Sequence, residues 1–230
     1  MITVPHLLAP VDPEAPLIVV ATREEAEHLG VDAPVLLTGI GRINATAALT
    51  ETLARSPLPT TVLNVGTAGS LHDAPADHPA DHPADHPANH PSDPSHSGVH
   101  RISRVLLHDF SHSAVRRLAG ADAYPAIDLA VPGEAGDGSS QSTVLATGDL
   151  FVEDSATRAR LAEFADLVDM EGYAIAWVAR RFGVPVELIK LVSDPADESA
   201  GELWSAGVEA CSRVLGEHLG GRFGRDGAGA

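Results

Sequence analysis

The sequence predicts an α/β fold from two observations: short, nearly continuous apolar runs rich in Val, Leu and Ile, and helical patterns that fall between them. Runs without polar alternation suit strands covered by helices on both faces. A chain of 230 residues can bury one good core, so a single domain over 1–230 is expected.

Taken in order, Leu17 to Ala21 reads as a buried strand, and Arg23 to Leu29 as the start of a helix with acids near its positive end. Val35 to Leu37 and Thr61 to Asn64 are short apolar strands flanking a helical pattern at Ala45 to Arg55. Arg104 to Leu107 and Thr143 to Ala146 follow as strands, with a helix at Ser111 to Leu118 between them. A helix at Ser155 to Phe164, a strand at Leu167 to Asp169, a helix at Met170 to Phe182, a strand at Val186 to Val192 and a helix at Glu202 to Leu219 complete the alternation. Within the helix at Met170 to Phe182, Ala174, Trp177, Val178 and Phe182 have core spacing.

Two segments break the pattern. Asp-His-Pro-Ala repeats at 77–80, 81–84 and 85–88 inside the stretch His72 to His100. Proline at every fourth position forbids a helix interior and regular sheet pairing, and the sparse apolar content cannot offset chain entropy. Residues 72–100 are therefore expected to be a disordered insertion. The segment Val131 to Ser142, with Gly133, Gly136 and Gly138, reads as a flexible loop, and Gly220 to Ala230 as a disordered tail.

The formal net charge of −17 disfavours nucleic acid as a partner, because the long-range field repels a phosphate backbone. No apolar run approaches the ~20 residues needed to cross a bilayer, so no membrane is expected. The lone Cys211 forms no internal disulfide, and Pro5, Pro10, Pro13 and Pro16 interrupt the first residues where a signal peptide needs an unbroken apolar stretch. A cytoplasmic location is the expectation. His78, His82, His86, His90 and His96 of the insertion invite weak, adventitious divalent metal binding, but nothing fixes a geometry, and no functional metal site is expected. Gly39-Ile40-Gly41-Arg42 suggests a dinucleotide loop, yet Asn44 replaces the third glycine of G-x-G-x-x-G and no matching acid follows, so no nicotinamide cofactor is expected. No cofactor of any other kind is called for.

Two runs carry chemistry: Val168-Asp169-Met170-Glu171-Gly172-Tyr173-Ala174 and Val192-Ser193-Asp194-Pro195-Ala196-Asp197. Each passes from a buried strand end into a segment bearing carboxylates that stability does not require. A Met can simply pack and a Glu can simply favour a helix start. An ionised carboxylate, however, can accept both hydroxyl protons of a cis-diol, and an unbranched thioether can pack on a sugar ring. Asp194 can cap the turn at Pro195, but it also sits at the carboxyl end of a strand, where ligands bind in open α/β sheets. Burial there raises a carboxyl pKa and keeps a proton available near neutral pH.

These runs resemble the nucleoside phosphorylase and nucleoside hydrolase superfamily, in particular the bacterial 5'-methylthioadenosine/S-adenosylhomocysteine nucleosidases, with their ribose-binding Met-Glu and purine-binding Ser-Asp pairs. The resemblance covers nearly the whole chain except the insertion and tail. It implies a three-layer α/β/α sandwich with a central mixed twisted sheet, and a homodimer. It also implies an N-glycosyl hydrolase that splits 5'-methylthioadenosine, S-adenosylhomocysteine or 5'-deoxyadenosine into adenine and a 5-substituted ribose. Met170 and Glu171 then hold the ribose, Asp194 is the general acid at the purine N7, and Ser193 orients it. In Ala21-Thr22-Arg23-Glu24-Glu25-Ala26-Glu27 the resemblance assigns the water-activating carboxylate to Glu25, with Glu24 as the fallback. Val65-Gly66-Thr67-Ala68-Gly69-Ser70 reads as a loop after the strand ending at Asn64, and Thr67 supplies a hydroxyl near the water. Phe151 is placed against the purine face and the Val152 backbone on its pairing edge.

Three alternatives stay open. The opening Ala-Thr-x-x-Glu-Ala-Glu also resembles futalosine hydrolases. A purine nucleoside phosphorylase shares the fold, although the chain lacks a convincing paired-arginine phosphate site. A nucleoside-sensing or metal-buffering protein on the same scaffold is the remaining class, weighed against three intact carboxylates.

Overall fold

The computed structural model describes residues 6–73, 98–110, 124–130 and 142–223. Most of the expected insertion, the expected helix at 111–118 and nearly all of the expected loop at 131–142 lie outside the described residues. Among the described residues there are nine strands: β1 His6–Leu7, β2 Leu17–Val20, β3 Val35–Leu37, β4 Val62–Ser70, β5 Val99–Leu107, β6 Ile127–Asp128, β7 Thr143–Thr147, β8 Leu167–Asp169 and β9 Val186–Asp194. Five helices accompany them: α1 Arg23–Ala26, α2 Arg42–Arg55, α3 Ser155–Leu161, α4 Gly172–Arg181 and α5 Ala200–Phe223.

The strands form one mixed sheet in the order β1-β3-β2-β4-β8-β7-β5-β6, with β9 paired to both β4 and β5. Parallel pairs join β2 to β3 and β4, β4 to β9, β5 to β7, and β7 to β8. The pairs β1–β3, β4–β8, β5–β6 and β5–β9 are antiparallel. Because β9 bridges β4 and β5, the path β4-β8-β7-β5-β9 returns to β4, and this part of the sheet closes on itself.

Helices cover the sheet on two sides, which explains the apolar runs. All four residues of β2 are buried. Leu17 and Val19 pack with Ala45, Leu49 and Leu53 of α2 and Ile175 and Val178 of α4. Ile18 and Val20 point the other way, toward Cys211, Leu215 and Leu219 of α5. Successive strand side chains alternate between faces, so only a strand covered on both can be apolar throughout.

Several boundaries differ from the sequence reading for identifiable reasons. The segment Gly66 to Ser70, read as a loop, is the second half of β4. Its glycines serve close approach rather than turning: a Cβ on Gly66 would lie 2.8 Å from Glu25 Oε1, and one on Gly69 would lie 3.0 Å from Asp194 Oδ1. Helix α5 runs on to Phe223, so residues 220–223 are not part of a loose tail. Phe223 packs against the core beneath α5 and Arg222 pairs with Glu187, which outweighs the weak helix propensity of Gly220 and Gly221. Strand β5 begins at Val99, inside the expected insertion, because Val99 packs on that same cluster.

Candidate active site

The cavity lies where the carboxyl ends of β2, β8 and β9 meet the carboxyl-terminal half of β4. Glu25, Thr67, Phe151, Val152, Met170, Glu171, Ser193 and Asp194 all line it, together with Trp204 of α5. Every site residue singled out in the sequence is thus brought to one place from five separate stretches of chain.

Glu25 owes its position to a capping box. Thr22 is the N-cap of α1; its side chain accepts from the Glu25 N–H at 3.2 Å, and the Glu25 carboxylate accepts from the Thr22 N–H at 3.1 Å. The other oxygen, Oε1, accepts from both the backbone N–H and the hydroxyl of Thr67, each at 2.9 Å. Glu25 is buried and Glu24 is exposed, so the inward-facing acid is Glu25. The Thr-x-x-Glu spacing is itself a signal that separates the two candidates.

Asp194 closes β9 beside an irregularity in the sheet. The register of β9 against β4 passes from Val192–Ala68 to Asp194–Gly69, a shift that takes in Ser193 and re-aims the side chains there. Ser193 Oγ donates to Asp194 Oδ2 at 2.8 Å, and the Ala196 N–H donates to Oδ1 at 3.0 Å. Ala196 adopts a left-handed φ of 52°, which is uncommon for a residue with a Cβ and is held here by complete burial. Burial raises the Asp194 pKa above the ordinary value, and the Ser193 and Ala196 donors only partly oppose it.

Glu171 is the N-cap residue of α4, yet its side chain does not cap that helix. Instead Oε1 accepts from the Gly41 N–H at 2.7 Å. Gly41 has φ +94°, so the glycine loop considered for a dinucleotide delivers a backbone amide to this carboxylate. Burial and the neighbouring Asp169 push the Glu171 pKa up to about 8, against the lowering effects of Lys190 and the Gly41 amide.

Beneath Glu171 lies a buried ion pair that the sequence reading passed over. Lys190 Nζ is 2.9 Å from Asp169 Oδ2, and both side chains are almost inaccessible. Asp169 also accepts from the Thr147 hydroxyl at 2.6 Å and the Gly172 N–H at 2.8 Å, while Thr147 Oγ1 accepts from the Tyr173 N–H at 3.0 Å. These bonds tie the end of β8 to the start of α4 and so fix Glu171. Burial works against a charged Lys190, but Asp169, Glu171 and Glu25 outweigh it and hold its pKa above the ordinary value. The missed signal was a lysine in the middle of Val186 to Val192, since a lysine in a strand covered on both faces needs a partner. Arg42 was also missed: its guanidinium joins Asp109 and Asp149, each at 2.7 Å, and fastens α2 to the segment after β7.

A family profile described as the phosphorylase superfamily matches residues 25–220. The chain belongs to the phosphorylase superfamily. Among individual relatives, the 5'-methylthioadenosine/S-adenosylhomocysteine nucleosidase of Bacillus subtilis is 30% identical over 182 residues, covering 76% of this chain and 73% of the relative. An aminodeoxyfutalosine nucleosidase of Helicobacter pylori is 45% identical over 78 residues, 33% of this chain, and the chain spans only 34% of that relative's length. In three dimensions the chain resembles an Asp-to-Asn variant of the Helicobacter pylori MTAN solved with 5'-methylthioadenosine in the active site. The TM-score is 0.68 at 23% identity, over 90% of this chain and 97% of that one, a likeness of fold. Among the described residues no helix is long and apolar enough to cross a membrane.

Proposed function

We propose that this chain hydrolyses the N-glycosidic bond of a purine nucleoside, releasing adenine and a 5-substituted ribose. The substrates are 5'-methylthioadenosine, S-adenosylhomocysteine or 5'-deoxyadenosine. The observation that carries this reading is the convergence of Glu25, Glu171 and Asp194 on one cavity, where burial raises the Asp194 pKa above the ordinary value. The purine stacks on Phe151 with its pairing edge at the Val152 backbone, and Asp194, oriented by Ser193, delivers its proton to N7. The C1'–N9 bond breaks with its electron pair going to the base, which leaves neutral because N7 is protonated. Glu171 accepts the ribose diol while Met170 packs on the ring, and Glu25 takes a proton from the water whose oxygen joins C1'. Water is favoured over phosphate because four acids, Glu25, Asp169, Glu171 and Asp194, line the cavity and the one buried lysine is already bound to Asp169.

A second substrate reading, aminodeoxyfutalosine, rests on the 45% identity of a 78-residue stretch to a relative of that name. It needs the same chemistry with a different 5' group. A cytoplasmic homodimer remains part of the proposal. Its support is the exposure of Ile40, Ile43 and Leu150, of which Ile40 and Leu150 border the cavity.

The test is a nucleoside panel including aminodeoxyfutalosine, run in 18O-labelled water with and without phosphate. Free base should appear with solvent oxygen at C1, and phosphate should neither accelerate turnover nor enter the product. A ribose 1-phosphate as the main product overturns the hydrolytic assignment.

Glu171→Gln removes the charge of the diol acceptor, which an acid with a pKa of about 8 carries mainly above that pH, so the loss in kcat/KM should grow toward about 1.5–3 kcal/mol as pH rises through about 8, since hydrogen bonds to charged groups are worth that much. The loss should shrink on a 2'-deoxy substrate, which has one donor fewer. Equal losses on both substrates would place the 2'-hydroxyl elsewhere.

A further inference from the structure

Trp204 is half-buried at the start of α5, and it lines the cavity without any part in the chemistry described so far. Its Nε1 lies 3.1 Å from Thr67 Oγ1, and that oxygen lies 2.9 Å from Glu25 Oε1. The direction of both bonds follows from the groups involved. An indole N–H only donates and a carboxylate only accepts, so the Thr67 hydroxyl must accept from Trp204 and donate to Glu25.

Resting on the nucleosidase reading of this cavity, we propose that Trp204 is a positioning residue that acts on Glu25 through Thr67. The indole occupies one lone pair of the hydroxyl and fixes its proton toward Oε1. With the Thr67 N–H also on Oε1 at 2.9 Å, that oxygen holds two short donors, while Oε2 has longer contacts of 3.1 and 3.4 Å to Thr22. Two donors already engage Oε1, so Oε2, with its longer contacts, is left freer to accept a further proton. Trp204 thereby selects which oxygen of Glu25 takes the proton of water. Without the indole the hydroxyl is free to turn, and this selection is lost.

Trp204→Phe keeps an aromatic wall and removes only the donor. It should lower kcat about three- to tenfold, the worth of one ordinary hydrogen bond, while KM changes less than twofold. In a Thr67→Val background the same substitution should have no further effect, and in Thr67→Ser, which keeps the hydroxyl, its effect should return. A ring that only packs would instead give the same loss in every background, mainly in KM. Additive losses in an enzyme that releases base overturn this proposal and leave the nucleosidase reading standing. A wild-type protein that releases no base strikes that reading instead, so a measurement without turnover is paired with the kinetics. The chain has two tryptophans, and Trp204→Phe identifies which indole N–H resonance belongs to Trp204. In Thr67→Val that resonance should move upfield and exchange faster with solvent. An unchanged resonance overturns the proposal whatever the activity.

Discussion

Asp194→Asn should lower kcat for base release at least ~100-fold, the usual contribution of a positioned general acid, with the fold intact. The surrounding bonds tolerate the exchange. The amide oxygen can keep the bond from the Ala196 N–H, and the amide nitrogen then faces Ser193 Oγ, which can turn to accept from it. What the amide cannot do is deliver a proton to N7. Stability should move in the opposite direction to activity. A carboxyl whose folded pKa is raised imposes no penalty below the unfolded value, here an ordinary 3.8, and an increasing one as pH climbs from there toward the folded value. Asn carries no such penalty, so the variant should melt at the wild-type temperature or above it at neutral pH. In the wild type kcat should fall as pH rises through the elevated pKa of Asp194, because only the protonated form donates. Steady-state base release and thermal melting measure both halves. A kcat like that of the wild type removes Asp194 from the acid role, and a variant that melts below the wild type at neutral pH overturns the stability half.

The alternation of buried strands and helices was legible because β2, β3, β7, β8 and β9 carry side chains into cores on both faces, and that leaves an unbroken apolar run. The strands β1 and β6 escaped because two residues each are too few to show a period. The second half of β4 was misread for a different reason. Gly66 and Gly69 look like turn residues, yet they are small because Glu25 presses on the one and Asp194 and Val168 on the other. The feature that hid the strand is a consequence of the site. The acids Glu25, Glu171 and Asp194 were readable because each sits near the carboxyl end of a strand, where ligands bind in open α/β sheets. Their positioning partners were not, because a tryptophan in an amphipathic helix, a lysine in a strand and an amide in a glycine loop are defined only by what they touch across the fold.

Lys190→Met should cost about 3–5 kcal/mol of folding stability, the loss expected when one member of a buried ion pair is removed and its partner is stranded. That is a large share of the ~5–15 kcal/mol that holds a domain together. Met fills the space of the lysine stem, so the loss reports charge rather than a cavity. Asp169 would retain the donors Thr147 Oγ1 and Gly172 N–H but no cation, and Glu171 would lose the one positive group that opposes its burial. The pH dependence follows from the sign of the shift. For an acid whose folded pKa lies above its unfolded value, the folded state is penalised only once pH rises past the unfolded value, and the penalty is complete above the folded one. For Glu171 that window runs from 4.5 to about 8 in the wild type and extends further without Lys190. Between 4.5 and about 8 wild type and variant carry the same Glu171 penalty, so the part of the deficit that comes from Glu171 should appear only above about pH 8, as measured by urea unfolding at pH 7 and pH 9. Adding Asp169→Asn should restore part of the stability at pH 8. The amide oxygen can accept from the Gly172 N–H while the amide nitrogen donates to Thr147 Oγ1, and no unpaired charge remains at that position. A loss below about 1 kcal/mol at pH 7, or one that does not grow between pH 7 and pH 9, would mean that Lys190 does not neutralise the acids beneath the cavity.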